Sequence, residues 1–427
     1  MSPSSYSTAR HLRILLVGTF LSRLYTCILI VLSASFLPLF DSSPTILLGN
    51  SWQSSFLRWD AFYFTHIAEN GYVYEHEWAF FPGIPLLMRF ASQFLTGLTV
   101  HGDVSSDLTT SLEWTMLLQG GALAALACDS TRTLYHLSLH HLGSPSLAFV
   151  SAALSLLPSS PAALRFAAYT EPIFTFMSYR GMLYCTRSQW LFASACFAFA
   201  SVCRSNGVML SGFIVWGMLV EPFLNGQYEK LSFTHILYTI LLTALPILPF
   251  IYHNYMAYLA FCSTTAQPAE WCTRRFPSIY AHVQDKYWNV GFLRYWTFQQ
   301  LPNFIISLPV LLIIYIFAFN YFSALPTVLT SFPLLSHTRA PKPKPRSPFL
   351  SSRLLPHVLY ATLLTLILTF SAHTQIALRT LPAVPVTYWS AAWLLLERPM
   401  LGKAWVAWSM VWGSLSAVLW GVFLPPA

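Results

Sequence analysis

Asp60 is a carboxylate where an apolar helix face has no structural use for one. The stretch 54–71 reads SSFLRWDAFYFTHIAENG. Ser54 or Ser55 can cap a helix start, and Asn70-Gly71 can end it. At 100° per residue, Phe56, Leu57, Trp59, Tyr63, Phe64 and Ile67 gather on one side. Arg58, Thr65 and Glu69 fall on the other. The pattern predicts an amphipathic helix lying along a membrane surface. Asp60 falls inside the apolar arc, between Ile67 and Phe64. An unpaired charge is costly to bury there. Two readings stay open. Asp60 is a structural acid paired with, for instance, an arginine from a neighbouring helix. Or it is a base held against a membrane-embedded substrate, its pKa raised by low-dielectric surroundings.

Other groups suit the same chemistry. Glu75, His76 and Glu77 sit together in the run Tyr74 to Pro82, either as a solvated turn or as a polar rim for sugar hydroxyls, with Trp78 as a stacking platform. Glu171 lies between Thr170 and Pro172, a helix-start pattern that makes it a cap or a pocket-lining acid. Arg165, Arg204, Arg294 and Arg379 fall at the ends of apolar runs. A guanidinium there can match a phosphate bidentately or anchor the chain at the interface. Asn206 can bind a sugar hydroxyl or satisfy backbone beside Gly207. His253 and Asn254 enter a polar loop, and Gln284, Tyr287 and Trp288 can cover an acceptor or form an aromatic belt. His373 and Gln375 can hydrogen-bond a substrate. No His, Cys or carboxylate cluster has metal-ligand spacing, so no metal or other cofactor is expected. Cys262 and Cys272 are close enough in a polar loop to form a small disulfide ring, which requires an oxidising lumen. The other five cysteines lie in or beside apolar runs and read as packing residues.

The elements that must position these groups are membrane helices. Charged residues make up 9% of the chain and hydrophobic ones 55%, against roughly a quarter charged in soluble domains. Lipid solvates apolar surface directly, so no charged skin is needed. The run from about Leu15 to Phe40 reads as an uncleaved first span starting in the cytosol. Further spans are expected near 113–131, 146–163, 172–186, 189–203, 207–221, 233–255, 303–330, 355–371, 381–396 and 404–424, about eleven in all, as one domain over 1–427. The basic loop 331–354 belongs in the cytosol. Parity then places loops 41–112 and 256–302 in the lumen and 129–145 in the cytosol. The apolar segment 80–100, with Arg89 in its middle, is expected to be re-entrant or interfacial. The net charge of +8 fits the positive-inside rule, and no nucleic-acid motif accompanies it.

Several runs taken together resemble a known family. They are Arg58-Trp59-Asp60-Ala61 through Gly71-Tyr72, Glu75 through Pro82, Tyr169-Thr170-Glu171-Pro172 and Arg204-Ser205-Asn206-Gly207. Then come Trp271-Cys272, Pro277 through Tyr280, Tyr287 through Phe292, Gln300 through Phe304, and His373-Thr374-Gln375 with Arg379. This set is similar to the GPI mannosyltransferase 2 family, of PIG-V type, over nearly the whole chain. The resemblance implies a GT-C fold, an all-α polytopic membrane bundle with its active site on luminal loops of the endoplasmic reticulum. It implies dolichyl-phosphate-mannose as donor and a mannosyl-glucosaminyl-acylphosphatidylinositol as acceptor of the second, α1,6-linked mannose. It also implies a small membrane partner in fungi. The family's Trp–Asp signature maps onto Trp59 and Asp60, with Arg204 and Arg379 in further family-like motifs. Many GT-C enzymes carry two acids close together at that point. This chain has Asp60 alone, with Glu69, Glu75 and Glu77 farther on.

Three rivals remain at this level: another dolichyl-phosphate-sugar transferase on the same fold, a lipid transporter or scramblase, and a non-catalytic membrane subunit. A transporter predicts charges paired inside the bundle and pseudo-symmetric halves. The acids here gather in loops instead.

Overall fold

The structure is a computed structural model, and it describes residues 3–49, 51–99, 106–263, 268–335 and 347–425. Among these residues there are helices and turns and no strand. Residues 336–346 of the basic segment 331–354, expected in the cytosol, lie outside the described residues.

The helices that build the bundle are α1 (Pro3–Phe36), α2 (Asp60–Asn70), α3 (Gly83–Thr99), α4 (Ser106–Ala127), α5 (Ser130–Leu142), α6 (Pro145–Leu154), α7 (Glu171–Thr186) and α8 (Trp190–Cys203). A helical run Ser205–Leu224 follows. Then come α9 (Phe233–Ala244), α10 (Leu248–Tyr258), α11 (Ile279–Lys286), α12 (Leu301–Ser323), α13 (Leu355–Phe370), α14 (Pro385–Glu397) and α15 (Pro399–Gly421). Among the described residues four helices are long and apolar enough to cross a membrane: Ser7–Phe36, Ser205–Leu224, Phe298–Ser323 and Ser352–Phe370. The pair Phe233–Ala244 and Leu248–Ser263, bent by 51°, is either a broken span or a re-entrant loop. The chain is therefore a polytopic helical membrane protein, and several of its apolar stretches are shorter helices than a full span.

The break after α4 shows how the spans depart from uniformity. The segment 129–145, expected as a loop, is mostly the helix α5, whose Leu134, Tyr135 and Leu137 are buried. A helix end inside a bundle leaves carbonyls without partners. Arg23 of α1 supplies them, donating to the carbonyls of Leu126 and Cys128 at 2.9 Å each and of Ala125 at 3.3 Å. The Asp129 carboxylate then accepts from the Arg132 N–H at 3.1 Å and starts the next helix. Apolar periodicity alone does not reveal such a break.

The segment 80–100 forms α3, which packs along α4. A Cβ at Gly120 would come within 2.8 Å of the Met88 carbonyl oxygen, so glycine is what lets these two helices approach. Four apolar clusters form among the described residues, and the two largest frame the site. The larger unites α7, α8 and α12 to α14. The smaller gathers Leu57, Ala61, Phe64 and Ala68 around Met88, Leu118, Tyr169 and Trp420.

That smaller core overturns the surface-helix expectation. The helix starts at Asp60, not at Ser54, because a 3-10 turn (Trp52–Phe56) and the non-helical residues after it precede it. Arg58 is thereby off the helical wheel. It is 1% exposed and donates to the carbonyls of Ser54 (2.5 Å), Leu57 (3.0 Å) and Gly421 (2.9 Å). Thr65, expected on the polar face, is also buried, with its hydroxyl satisfied by the Ala61 carbonyl at 2.7 Å.

Candidate active site

Asp60 is the first residue of α2, and the residue before it is strained. Trp59 has φ +50°, a region disfavoured for large side chains. Tyr169 holds this turn from the neighbouring segment. Its hydroxyl donates to the Arg58 carbonyl and accepts from the Asp60 N–H, each at 3.0 Å. The Trp59 ring packs beside Phe423, with centroids 5.0 Å apart. The Asp60 carboxylate thus projects from a helix N-terminus, where the peptide dipoles favour negative charge.

Asp60 is not unpaired. Its Oδ2 accepts from Arg379 Nη2 at 2.7 Å. Arg379 comes from a short helical turn, Ala377–Thr380. The same guanidinium reaches Glu171 Oε1 through Nε at 2.7 Å and Nη2 at 2.6 Å, and it lies over the Tyr169 ring. Glu171 opens α7 ahead of Pro172 and is 2% exposed. Its Oε1 also accepts from Arg204 Nη1 at 2.6 Å, and its Oε2 accepts from the Thr170 hydroxyl at 3.2 Å. Arg204 Nη2 donates to Thr380 Oγ1 at 3.1 Å. Two acids and two arginines from four separate segments therefore form one closed ionic network. Within it the Asp60 side chain is the most open, at 27% exposure against 15% for Arg379 and 18% for Arg204. Of the two readings of Asp60, the arginine-paired one describes its setting, which is ionic and not apolar. The pairing leaves its outer oxygen available: Oδ1 takes no hydrogen bond from a described residue.

The other expected residues separate into two groups. Glu171, Arg204 and Arg379 join Asp60. Asn206 lies just beyond Arg204, with its amide nitrogen buried and without a partner among the described residues. Glu75, His76, Glu77, His373 and Gln375 instead contact the protein itself. Glu77 is buried, and its oxygens accept from His66 Nδ1 (2.5 Å) and from the N–H groups of Val73 and Tyr74 (2.8 Å each). Glu75 accepts from Tyr287 (2.8 Å), Trp271 (3.1 Å) and Lys286 (3.2 Å). Burial pushes the Glu75 carboxyl up, but the hydrogen bonds from Tyr287 and Lys286 outweigh it and hold it below the usual range. His76 stands among the rings of Tyr63, Tyr74 and Tyr287. Trp78 is buried against Tyr72 and His253, so it offers no platform for a sugar.

His373 donates through Nε2 to the Trp288 carbonyl at 2.6 Å. Gln375 accepts from the Tyr295 hydroxyl at 3.4 Å. Arg165 is buried elsewhere on the Ser155 carbonyl, and Arg294 pairs with Asp285. Cys262 and Cys272 form the expected disulfide. Among the described residues no three His, Cys, Asp or Glu side chains converge as a metal site. Tyr169 and Thr380 were missed as site residues. Tyr169 sits in the run Tyr169-Thr170-Glu171-Pro172, where only the acid suggested chemistry.

The family model for mannosyltransferase (PIG-V) matches residues 7–427. The chain belongs to this family. Among curated relatives of this PIG-V mannosyltransferase, a GPI mannosyltransferase 2 of Cryptococcus neoformans is 33% identical, over 97% of this chain and 99% of the relative. The GPI alpha-1,6-mannosyltransferase 2 of Rattus norvegicus is 32% identical over 81% of this chain and 74% of its own length. The human protein of that name is 31% identical over the same shares. No solved structure matches the chain. The PIG-V assignment makes the protein a membrane glycosyltransferase, which removes the transporter and non-catalytic readings.

Proposed function

We propose that this mannosyltransferase adds the second, α1,6-linked mannose to the GPI precursor at the endoplasmic-reticulum membrane, with the network facing the lumen. The donor is dolichyl-phosphate-mannose and the acceptor is the mannosyl-glucosaminyl-acylphosphatidylinositol. The acceptor assignment rests on the names of the relatives. The observation that carries the chemistry is the partly open Asp60 carboxylate fixed by Arg379.

The acceptor hydroxyl oxygen attacks mannose C1 as its proton passes to Asp60. The C1–O bond to phosphate breaks, with inversion, and its electron pair stays on the phosphate. Phosphate is a stable leaving group, so positioning and charge stabilisation are the main work. Arg204 and Arg379 are the cations nearest that event, and Glu171 fixes both in place. Asn206 has an unused amide donor for a sugar or phosphate oxygen. This route calls for no resident metal or organic cofactor.

The test is Asp60→Asn in cells lacking their own second GPI mannosyltransferase, with any small membrane partner left in place. Accumulation of a one-mannose intermediate at normal protein level supports the reading. Full rescue by the variant removes Asp60 as the base. Failure of the wild-type chain to rescue removes the acceptor assignment.

A further inference from the structure

Two consecutive residues of the second large loop hold both halves of the site. On one side, the Tyr287 hydroxyl donates to Glu75, which also takes Trp271 Nε1 at 3.1 Å. Trp271 is fully buried and adjoins the Cys262–Cys272 disulfide. The turn Glu75–Ala79 then braces α2: Glu77 binds His66, and Phe80 stacks on Tyr63 with centroids 4.6 Å apart. Tyr63 and His66 lie one and two turns after Asp60. On the other side, the Trp288 carbonyl accepts from His373. His373 begins the pair of helical turns that carries Arg379 and Thr380. It also stacks on Tyr295 at 4.5 Å.

We infer that Tyr287-Trp288 is a clasp that sets the Asp60–Arg379 geometry, and that Glu75 and His373 are positioning residues and not substrate ligands. The inference rests on the proposed reaction for its kinetic test but not for its structural one. The carboxylate and guanidinium are delivered by different segments, whose buried apolar residues belong to separate clusters. Glu75 spends its oxygens on three protein donors, and His373 spends Nε2 on a backbone carbonyl. The protein itself thereby engages both Glu75 oxygens and His373 Nε2.

Two measurements on the full-length protein in membranes test this. In mannose transfer, Glu75→Gln and Tyr287→Phe should each lower kcat about tenfold with both KM values held, the effect of a small misplacement of reacting groups. The double variant should lose no more than the worse single, since the bond that Tyr287→Phe removes is one of those that Glu75→Gln weakens. His373→Ala should behave likewise, and His373→Asn, which keeps an N–H donor, should recover part of the loss. A raised KM at unchanged kcat, or no change at all, overturns the clasp. Hydrogen exchange gives the readout that needs no substrate. In Glu75→Gln, amides of 373–380 should exchange faster although Glu75 does not touch them. Unchanged exchange there overturns the clasp even if activity falls. An inactive wild type with the exchange effect intact overturns the proposed reaction and leaves the clasp standing.

Discussion

Arg379 meets Asp60 at 2.7 Å across a sequence separation of 319 residues. The pair joins the first large loop to a turn near the end of the chain, with Glu171 locked against the same guanidinium. Neither charge is free to move alone. A cycle of Asp60→Asn, Arg379→Lys and the double variant should therefore be strongly non-additive in kcat/KM. Asp60→Asn alone should remove about 10²–10⁴-fold of the activity, the usual contribution of a general base. Lysine cannot bridge Asp60 and Glu171 as the guanidinium fork does, so Arg379→Lys should lose a large part of it as well. Losses that simply add would mean the two residues act independently.

Glu171 is the buried hub of the network. Glu171→Gln keeps its shape but leaves two arginines without their shared counter-ion. Breaking a buried pair in this way costs about 3–5 kcal/mol. Thermal unfolding in detergent should shift to clearly lower temperature, with activity lost in the same preparation. A stable, active Glu171→Gln protein would mean the arginines find their compensation elsewhere.

Tyr169→Phe removes both hydrogen bonds that span the strained Trp59 turn while keeping the packed ring. The turn should relax and carry Asp60 with it. The expected result is a loss of about tenfold in kcat with a small change in stability, roughly the worth of one or two neutral hydrogen bonds. Unfolding without a kinetic effect in the surviving protein would assign Tyr169 to stability alone.

Glu75 gives a pH signature. Its folded pKa is held below the ordinary glutamate value of 4.5. Its contribution to stability is therefore fully present above the unfolded pKa and is lost as pH falls through the lower, folded one. Wild type should exceed Glu75→Gln in stability at neutral pH, and that margin should shrink below about pH 4.5. The Lys286 pKa is raised above the ordinary lysine value of 10.5 through its contact with the same carboxylate. Its share is present below that value and is lost as pH rises through the folded one. A margin unchanged down the acid limb would mean the carboxylate charge is not what holds the loop.

Cys262 and Cys272 should resist maleimide labelling in intact membranes and become labelled after reduction. The reduced protein should also be cleaved more readily within the second large loop, because the bond closes a short ring around it. Labelling before reduction would place the pair as free thiols.

The one-dimensional pattern determined more about this protein than its apolar composition suggests. The scarcity of charge required a bilayer, since no other solvent accepts so much apolar surface. Asp60 stood out because a helix face has periodicity and a misplaced charge breaks it. The spacing of Cys262 and Cys272 in a polar loop was enough to pair them, and motif resemblance placed Trp59, Glu171, Arg204 and Arg379 in one functional set. What tertiary structure alone decided was who meets whom. The helix began at Asp60 because a turn gripped by Tyr169 interrupts the periodicity, and this buried Arg58 instead of exposing it. The α4–α5 break depended on Arg23 arriving from α1 to satisfy carbonyls that the local pattern shows as ordinary helix. Glu75 and Glu77 read equally as a solvated turn or a polar rim, and His373 as a substrate contact, because sequence records which groups are polar but not the protein partners they meet. Hydrogen bonds and ion pairs between distant segments depend on packing, and packing is not periodic.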